Sequence, residues 1–433
     1  MKLKKSVSVM LVAVMLGFAI AGCSGGSGGG NETQPASSSG AEQPEGQVTL
    51  RLSTWQLDQE GYSEFWNQAI EAFNKEHPNV KVEPYNYAST DYSSRLLVDL
   101  TAGTPPDLIT LAGFDFAQLA AMDALEPLDG LLQNVNWDNF KKNLVDFAKV
   151  DGKLLAYPTM ARTLQLMYNK PLLEAAGITE PPTTPEQFYE AVKKLQKSDG
   201  QYGFAFETND NRYLYEDVQI WVHGFGGQLA KDGKPTLTDP KTIEAIQYLV
   251  KMVKEGIVPK GIGKSDIRLG FAQGKIAMLL DGAWVIPLVE KQNSDMLKDV
   301  VVTSTPFASK VTTGGTMNLI GVSSQSKHKA EAASFIEMIS EPEWQKLWFE
   351  NTATLTAGTD AIGEEELTDK PYVSEFVQGL DNAVPVPPQG LETQYNQFSG
   401  IVQKAVTQAF YSNESVESIM QAAQTEAEKL TSK

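Results

Sequence analysis

The chain holds one cysteine, Cys23, in 433 residues. No disulfide can form within it, so a folded body must rest on the size of its apolar core. Histidine is nearly as scarce. His77, His223 and His328 stand far apart, and none has a close histidine or cysteine partner. This argues against a histidine- or thiolate-based metal site and leaves a Ser-His-Asp or Cys-His nucleophile poorly supplied. Bases are also few, with 36 Lys and Arg against 54 Asp and Glu, for a formal net charge of −18. So acidic a chain does not seek nucleic acid or anionic lipid head groups. The glycine-rich runs 25–30 and 224–227 lack the Gly-Lys-Ser/Thr that a phosphate loop places before a helix. Among 54 acids, two that are close in sequence prove nothing, and none stands in a recognisable acid/base motif. No catalytic residue, metal or cofactor is expected.

What is present starts at the first residue. Lys2, Lys4 and Lys5 precede an apolar run from Val7 to Ile20, and the small residues Ala21 and Gly22 precede Cys23. A positive start, a short apolar core and a small-residue cut site make a secretory signal. The run is too short and too one-sided for an ordinary membrane-spanning helix. Ala21-Gly22-Cys23 resembles a bacterial lipoprotein signal, which implies cleavage after residue 22 and a palmitate-type lipid on the Cys23 sulfur. A plain secretory signal with a chance cysteine is the other reading, though a lone thiol is unusual in an exported chain. Cleavage removes three lysines and no acid, taking the charge from −18 to −21, and leaves residues 23–433. That length exceeds what one core usually serves and predicts two lobes. Residues 24–47 are Gly, Ser, Pro, Gln, Glu and little else, a flexible spacer. It spans roughly 25–30 Å.

Beyond the spacer, strand and helix patterns alternate. Val48–Thr54, Asn79–Pro84 and Asp107–Leu111 read as strands; Tyr62–Glu76 and Tyr92–Ala102 read as helices. Such alternation predicts parallel strands with crossover helices. Thr184-Pro-Glu-Gln187 combines a capping box with proline at the first helical position. Asp239-Pro240 starts another helix, ended by Gly256, and Ser340 is expected to cap one carrying Trp344, Leu347 and Trp348. A last helix is expected from about Ser415 to Leu430.

Gly152-Lys-Leu-Leu-Ala-Tyr-Pro158 is followed by Leu166-Met-Tyr-Asn-Lys170, then Phe271-Ala-Gln-Gly-Lys-Ile-Ala-Met278 and Asp281-Gly-Ala-Trp284. Gly314-Gly315 comes before Ile320-Gly-Val-Ser-Ser324, and Lys329-Ala-Glu-Ala-Ala-Ser-Phe-Ile336 follows. In that order these segments resemble the extracellular solute-binding proteins of ABC importers, in the maltose and multiple-sugar branch, over nearly all of the mature chain. The resemblance implies an α/β fold of the periplasmic-binding-protein type: two discontinuous lobes, hinge crossings and a central ligand cleft. It implies a signal peptide at 1–22, a lipidated cysteine and linker at 23–47, an N-terminal lobe of 48–159 plus 320–355, and a C-terminal lobe of 163–316 plus 360–433. The crossings are expected near 159–163, 316–319 and 352–360.

A neutral sugar has apolar C–H faces and a hydroxyl rim, so its site stacks aromatic rings and supplies Asp, Glu, Asn, Arg and backbone amides. The resemblance implies that Trp284 is the sugar-stacking aromatic. Trp55 ends the first strand, at the carboxyl edge where α/β ligands bind, with core packing as its other reading. Trp221 sits in apolar Val-Gln-Ile-Trp-Val-His, which favours the core, though relatives often place an aromatic near here. Gly314 and Gly315 would let backbone amides approach a hydroxyl, or form a plain turn. Arg162, at the first expected crossing, suits paired hydroxyls or a carboxylate, or else an inter-lobe salt bridge. Asp115 follows the third strand and is either a ligand contact or a surface acid. Tyr395 lies where relatives often place a late aromatic. Trp66, Trp344 and Trp348 fit helical stripes and read as packing, and Trp137 is assigned nothing.

The resulting expectation is a monomeric carbohydrate receptor, lipid-anchored through Cys23 to the outer face of a bacterial cell membrane, that hands its ligand to the permease of an ABC transporter without breaking a bond. The alternatives are an extracellular glycosidase, which would need two converging carboxylates, and a peptide-binding transport protein.

Overall fold

The computed structural model describes residues 47–433 apart from 60, 89–90, 199, 315–317, 359–361, 364–369, 389 and 432–433. The signal, Cys23 and Gly315 lie outside the described residues.

Two β-sheets organise the chain. The first has the order 80–86, 48–54, 108–112, 318–322, 157–160. Its first three strands are parallel, joined by helices Tyr62–Glu76 and Tyr92–Thr101. The second sheet has the order 300–303, 165–169, 276–281, 202–204. Neither sheet is wholly parallel, which corrects the sequence-based expectation. Strand Asn318–Val322 runs antiparallel to 108–112 and 157–160, and Gln165–Asn169 runs antiparallel to both of its neighbours. The reason is connectivity. Each of these strands arrives from outside its own sheet rather than through a β-helix-β crossover, so nothing forces it to run parallel.

The helices form where the sequence carries both a stripe and a start signal. Tyr62–Glu76 buries Phe65, Trp66, Ala69, Ile70 and Phe73, one face at helical spacing. Thr184 accepts from the Gln187 backbone N–H at 3.3 Å and opens helix Pro185–Leu195. The Gln187 side chain accepts instead from the Thr183 N–H, one residue before the cap. Asp239 caps helix Pro240–Glu255 through the Lys241 N–H at 2.8 Å, and Gly256 ends it in the left-handed region at φ 70°. Ser340 is not a cap. It closes helix Lys329–Ser340, and the next helix, Pro342–Thr352, begins behind Glu341 because Pro342 takes its first position.

Trp66, Trp348 and Phe335 pack with Leu50, Leu52 and Leu108 in one core, and Phe188, Trp221, Ile246, Leu249 and Met420 in another. Strand Ile276–Asp281 is buried on both faces: Leu279 joins the first core, Met278 and Leu280 the second.

The chain passes from the first sheet to the second between strands 157–160 and 165–169 and is back in the first sheet at strand 318–322. Ala161 N–H donates to Leu355 O at 2.9 Å, Thr163 bridges Gly314, and Thr159 Oγ donates to Asn318 O at 2.9 Å. These bonds tie residues 159–163 to Gly314, Asn318 and Leu355. On another side, helix Gly113–Ala121 meets the 3-10 turn Glu392–Gln394, and Lys141 Nζ reaches Asp381 at 2.6 Å.

Candidate functional site

Between the two sheets lies a cavity of about 850 Å³, within the usual range for small-molecule sites. One wall comes from the carboxyl ends of the first sheet's parallel strands. Trp55 follows strand Val48–Thr54, Ala112 ends Leu108–Ala112, and Tyr62, Tyr92, Ser93 and Asp115 stand in the opening turns of the helices that come next. Such edges carry ligands because strands there give way to helix N-termini and loops. Met160, Arg162 and Asn318 line the cavity from the crossing segments, as do Asn351–Thr354 from the end of helix Pro342–Thr352. The opposite wall is Arg212, Trp284, Pro287 and Lys291.

The first wall is aromatic and hydrogen-bonded. Trp55 meets Tyr92 edge-on at 4.8 Å between ring centroids. The Tyr92 hydroxyl donates to Thr110 O at 2.6 Å, and burial pushes its pKa well up. Burial likewise raises the Tyr62 hydroxyl pKa, whose O–H lies 3.3 Å from Met160 Sδ. Asp115 is only 3% exposed. Ser93 Oγ donates to it at 2.6 Å, but burial outweighs that bond and lifts its carboxyl to about 6.

The second wall is built around Trp284. A Cβ placed on Gly282 would sit 2.1 Å from the indole, so the ring lies directly on that glycine. Arg162 Cζ is 5.2 Å and Arg268 Cζ 5.5 Å from the ring centroid, within cation–π range. Each guanidinium has its own carboxylate. Glu216 holds Arg162 at 2.9 Å, and the fully buried Asp281 holds Arg268 through two bonds of 2.8 and 3.0 Å. Desolvation opposes ionisation of Asp281, but Lys264 and Arg268 prevail and keep its carboxyl below the usual range. Asp281, Gly282 and Trp284 thus form one device, with an anchor for the arginine, a seat for the ring and the ring itself.

Of the residues expected from sequence, the fold brings Trp55, Asp115, Arg162 and Trp284 into this one cavity. Trp221 is elsewhere. It is 1% exposed, stacked on Tyr248 and enclosed by Phe188 and Phe307, because helix Arg212–Gly224 turns that position into the second core. Gly314 lines a small neighbouring pocket, and there a Cβ would press on Ala383 at 2.8 Å, so its bareness serves strand packing. Tyr395 is buried edge-on against Tyr215 and borders a side pocket shared with Arg212 and Glu216. The sequence reading missed Tyr62, Tyr92, Ser93, Arg212, Asn318 and Lys291. For Tyr62, Tyr92 and Arg212 there was a signal, since each is the first residue of its helix.

The family model for bacterial extracellular solute-binding proteins matches residues 68–374. A maltooligosaccharide ABC transporter solute-binding lipoprotein of Streptococcus pneumoniae is 23% identical over 402 residues, covering 89% of this chain and 88% of that protein. Among solved structures, the sugar-binding protein MalE of Xanthomonas citri superposes with a TM-score of 0.79 at 18% identity, over 88% of this chain and 97% of that one. The GacH receptor of Streptomyces glaucescens, solved unliganded and with acarbose, gives 0.77 at 21% identity, over 89% and 98%.

Proposed function

This chain belongs to the bacterial extracellular solute-binding proteins, and on that premise we propose that it is the carbohydrate receptor of an ABC importer, which takes up a saccharide outside the cytoplasm and passes it unaltered to the permease. The observation that carries this is the cavity between two sheets with Trp55 on one wall and Trp284 on the other. Two indoles on facing walls offer flat apolar surfaces to a pyranose, and Asn318, Asn351, Thr352 and Arg162 offer hydroxyl partners between them. The S. pneumoniae relative is named for maltooligosaccharide transport, and GacH was solved with acarbose; both point to the same ligand class.

The lobes are taken as 48–159 with 320–355 and 163–316 with 360–433, closing by hinge motion along the three crossings. Cys23 carries the lipid anchor and the protein works as a monomer. Binding without turnover is favoured because Asp115 is the one carboxylate lining the cavity among the described residues, whereas glycoside hydrolysis uses two. Calorimetric titration with a panel of oligosaccharides, followed by chromatography of the sugars, tests the reading. Saturable binding with the sugars recovered intact is expected; product formation, or binding by peptides alone, overturns it.

A further inference from the structure

The cavity has the opposite charge balance from the chain that forms it. Acids outnumber bases 54 to 36 overall, yet the lining carries three cations, Arg162, Arg212 and Lys291, and one acid, Asp115. Arg162 is neutralised by Glu216. Arg212 bonds the Tyr213 hydroxyl at 3.0 Å, and neither it nor Lys291 makes an ion pair among the described residues. Trp284, Pro287 and Lys291 are spaced three and four apart, so the ammonium rises from the same face of helix Val285–Gln292 as the indole at its cap.

The backbone adds to this field. Helices Tyr62–Glu76, Tyr92–Thr101, Gly113–Ala121, Arg212–Gly224 and Val285–Gln292 all start at the cavity, each with a lining residue at its cap or in its first turn. Each start carries up to about half a positive charge. One helix, Pro342–Thr352, ends there and opposes them. The single acid is buried against Ser93, where its charged form is disfavoured. Arg212 and Lys291 are both exposed at the open cleft, and Glu216 also acts on Arg212; a carboxylate or phosphate held between the two cations gains a direct charge-assisted contact that a neutral sugar does not.

We infer that the ligand is an anionic saccharide, a sugar bearing a carboxylate or phosphate group that meets Arg212 and Lys291 while its ring stacks on Trp284. This rests on the carbohydrate-receptor reading and names the chemical class within it.

The test titrates the purified protein with two matched pairs: trigalacturonate against maltotriose, and glucose 6-phosphate against glucose. At least one charged member is expected to bind roughly tenfold or more tightly than its neutral partner, the size of one good charge-assisted bond. The advantage should shrink as salt is raised from 50 to 500 mM (assay values of about that size). A preference within the first pair identifies a uronate, within the second a phosphate. Lys291→Ala and Arg212→Ala should each reduce the charged ligand's advantage over its neutral partner, and Lys241→Ala, an exposed side chain outside the cavity, should leave that advantage unchanged. If neutral sugars bind as well as their charged partners, or if the two variants weaken both equally, the inference fails and the receptor reading stands. If no sugar of either kind binds, the receptor reading itself fails.

Discussion

The two walls of the cavity hold their tryptophans by different physics. Trp55 is placed with no ion pair beside it among the described residues: an edge-on tyrosine, that tyrosine's hydroxyl bonded to the backbone, and one buried acid that burial keeps protonated up to about pH 6. Trp284 is placed by charge, with a glycine beneath it and two guanidiniums beside it, each fixed by a carboxylate. An uncharged wall costs little to bury but offers few directional handles. A charged wall is rigid and oriented, at the risk that losing one partner strands the other in the interior. The first wall should therefore tolerate substitution, and the second should fail sharply.

The largest effect is expected at Arg268. Arg268→Ala leaves the Asp281 carboxylate, fully buried, with Lys264 still near but its bidentate partner gone. Chemical denaturation should show a loss of roughly 3–5 kcal/mol; a loss below about 1 kcal/mol would mean the charged wall is no more brittle than the other. Trp221→Ala should cost a similar ~3–5 kcal/mol through the cavity it opens in the second core. Saccharide affinity should hold within about threefold below the new melting temperature, since the residue does not line the site. A selective loss of affinity there would return Trp221 to the binding residues.

A smaller effect concerns the neutral wall. The folded carboxyl of Asp115 is raised to about 6 from 3.8. The folded state therefore holds this proton more tightly than the unfolded chain does. The stabilisation from that proton is complete below pH 3.8 and is lost as pH rises through 6. Asp115→Asn, which keeps an acceptor for Ser93, should leave stability unchanged near pH 4 and raise it near pH 8 by up to about 3 kcal/mol. Equal effects at both pH values would show that the acid ionises normally. The smallest effect is at the exposed pair Lys141–Asp381. Lys141→Ala should cost below about 1 kcal/mol in a melting experiment, and a larger loss would make that contact a third structural element beside the two walls.

Much of this arrangement was legible before any coordinates. Tyr62–Glu76 was readable to the residue because its apolar stripe and its ends agree. Trp284 was readable from Asp281-Gly-Ala-Trp284, and the structure gives the pattern a cause: any side chain at position 282 would occupy the space of the ring. Two kinds of information were missing. Ser340 looked like a cap because serine commonly is one, but Pro342 moved the helix start beyond it. The sheets looked parallel because alternation reports only local crossovers, while Asn318–Val322 and Gln165–Asn169 enter from outside their own sheets. The cations were illegible for the same reason. Arg212 and Lys291 lie 79 positions apart in sequence, and only the fold sets them on one wall.

The most direct test of the central claim is a calorimetric titration of the wild-type protein and the double variant Trp55→Ala/Trp284→Ala with the tightest saccharide found. One-to-one saturable binding is expected in the wild type, with a loss of at least about thirtyfold in a double variant that still melts cooperatively, since each stacked ring contributes roughly 1–2 kcal/mol. Undiminished affinity in the double variant would contradict that claim.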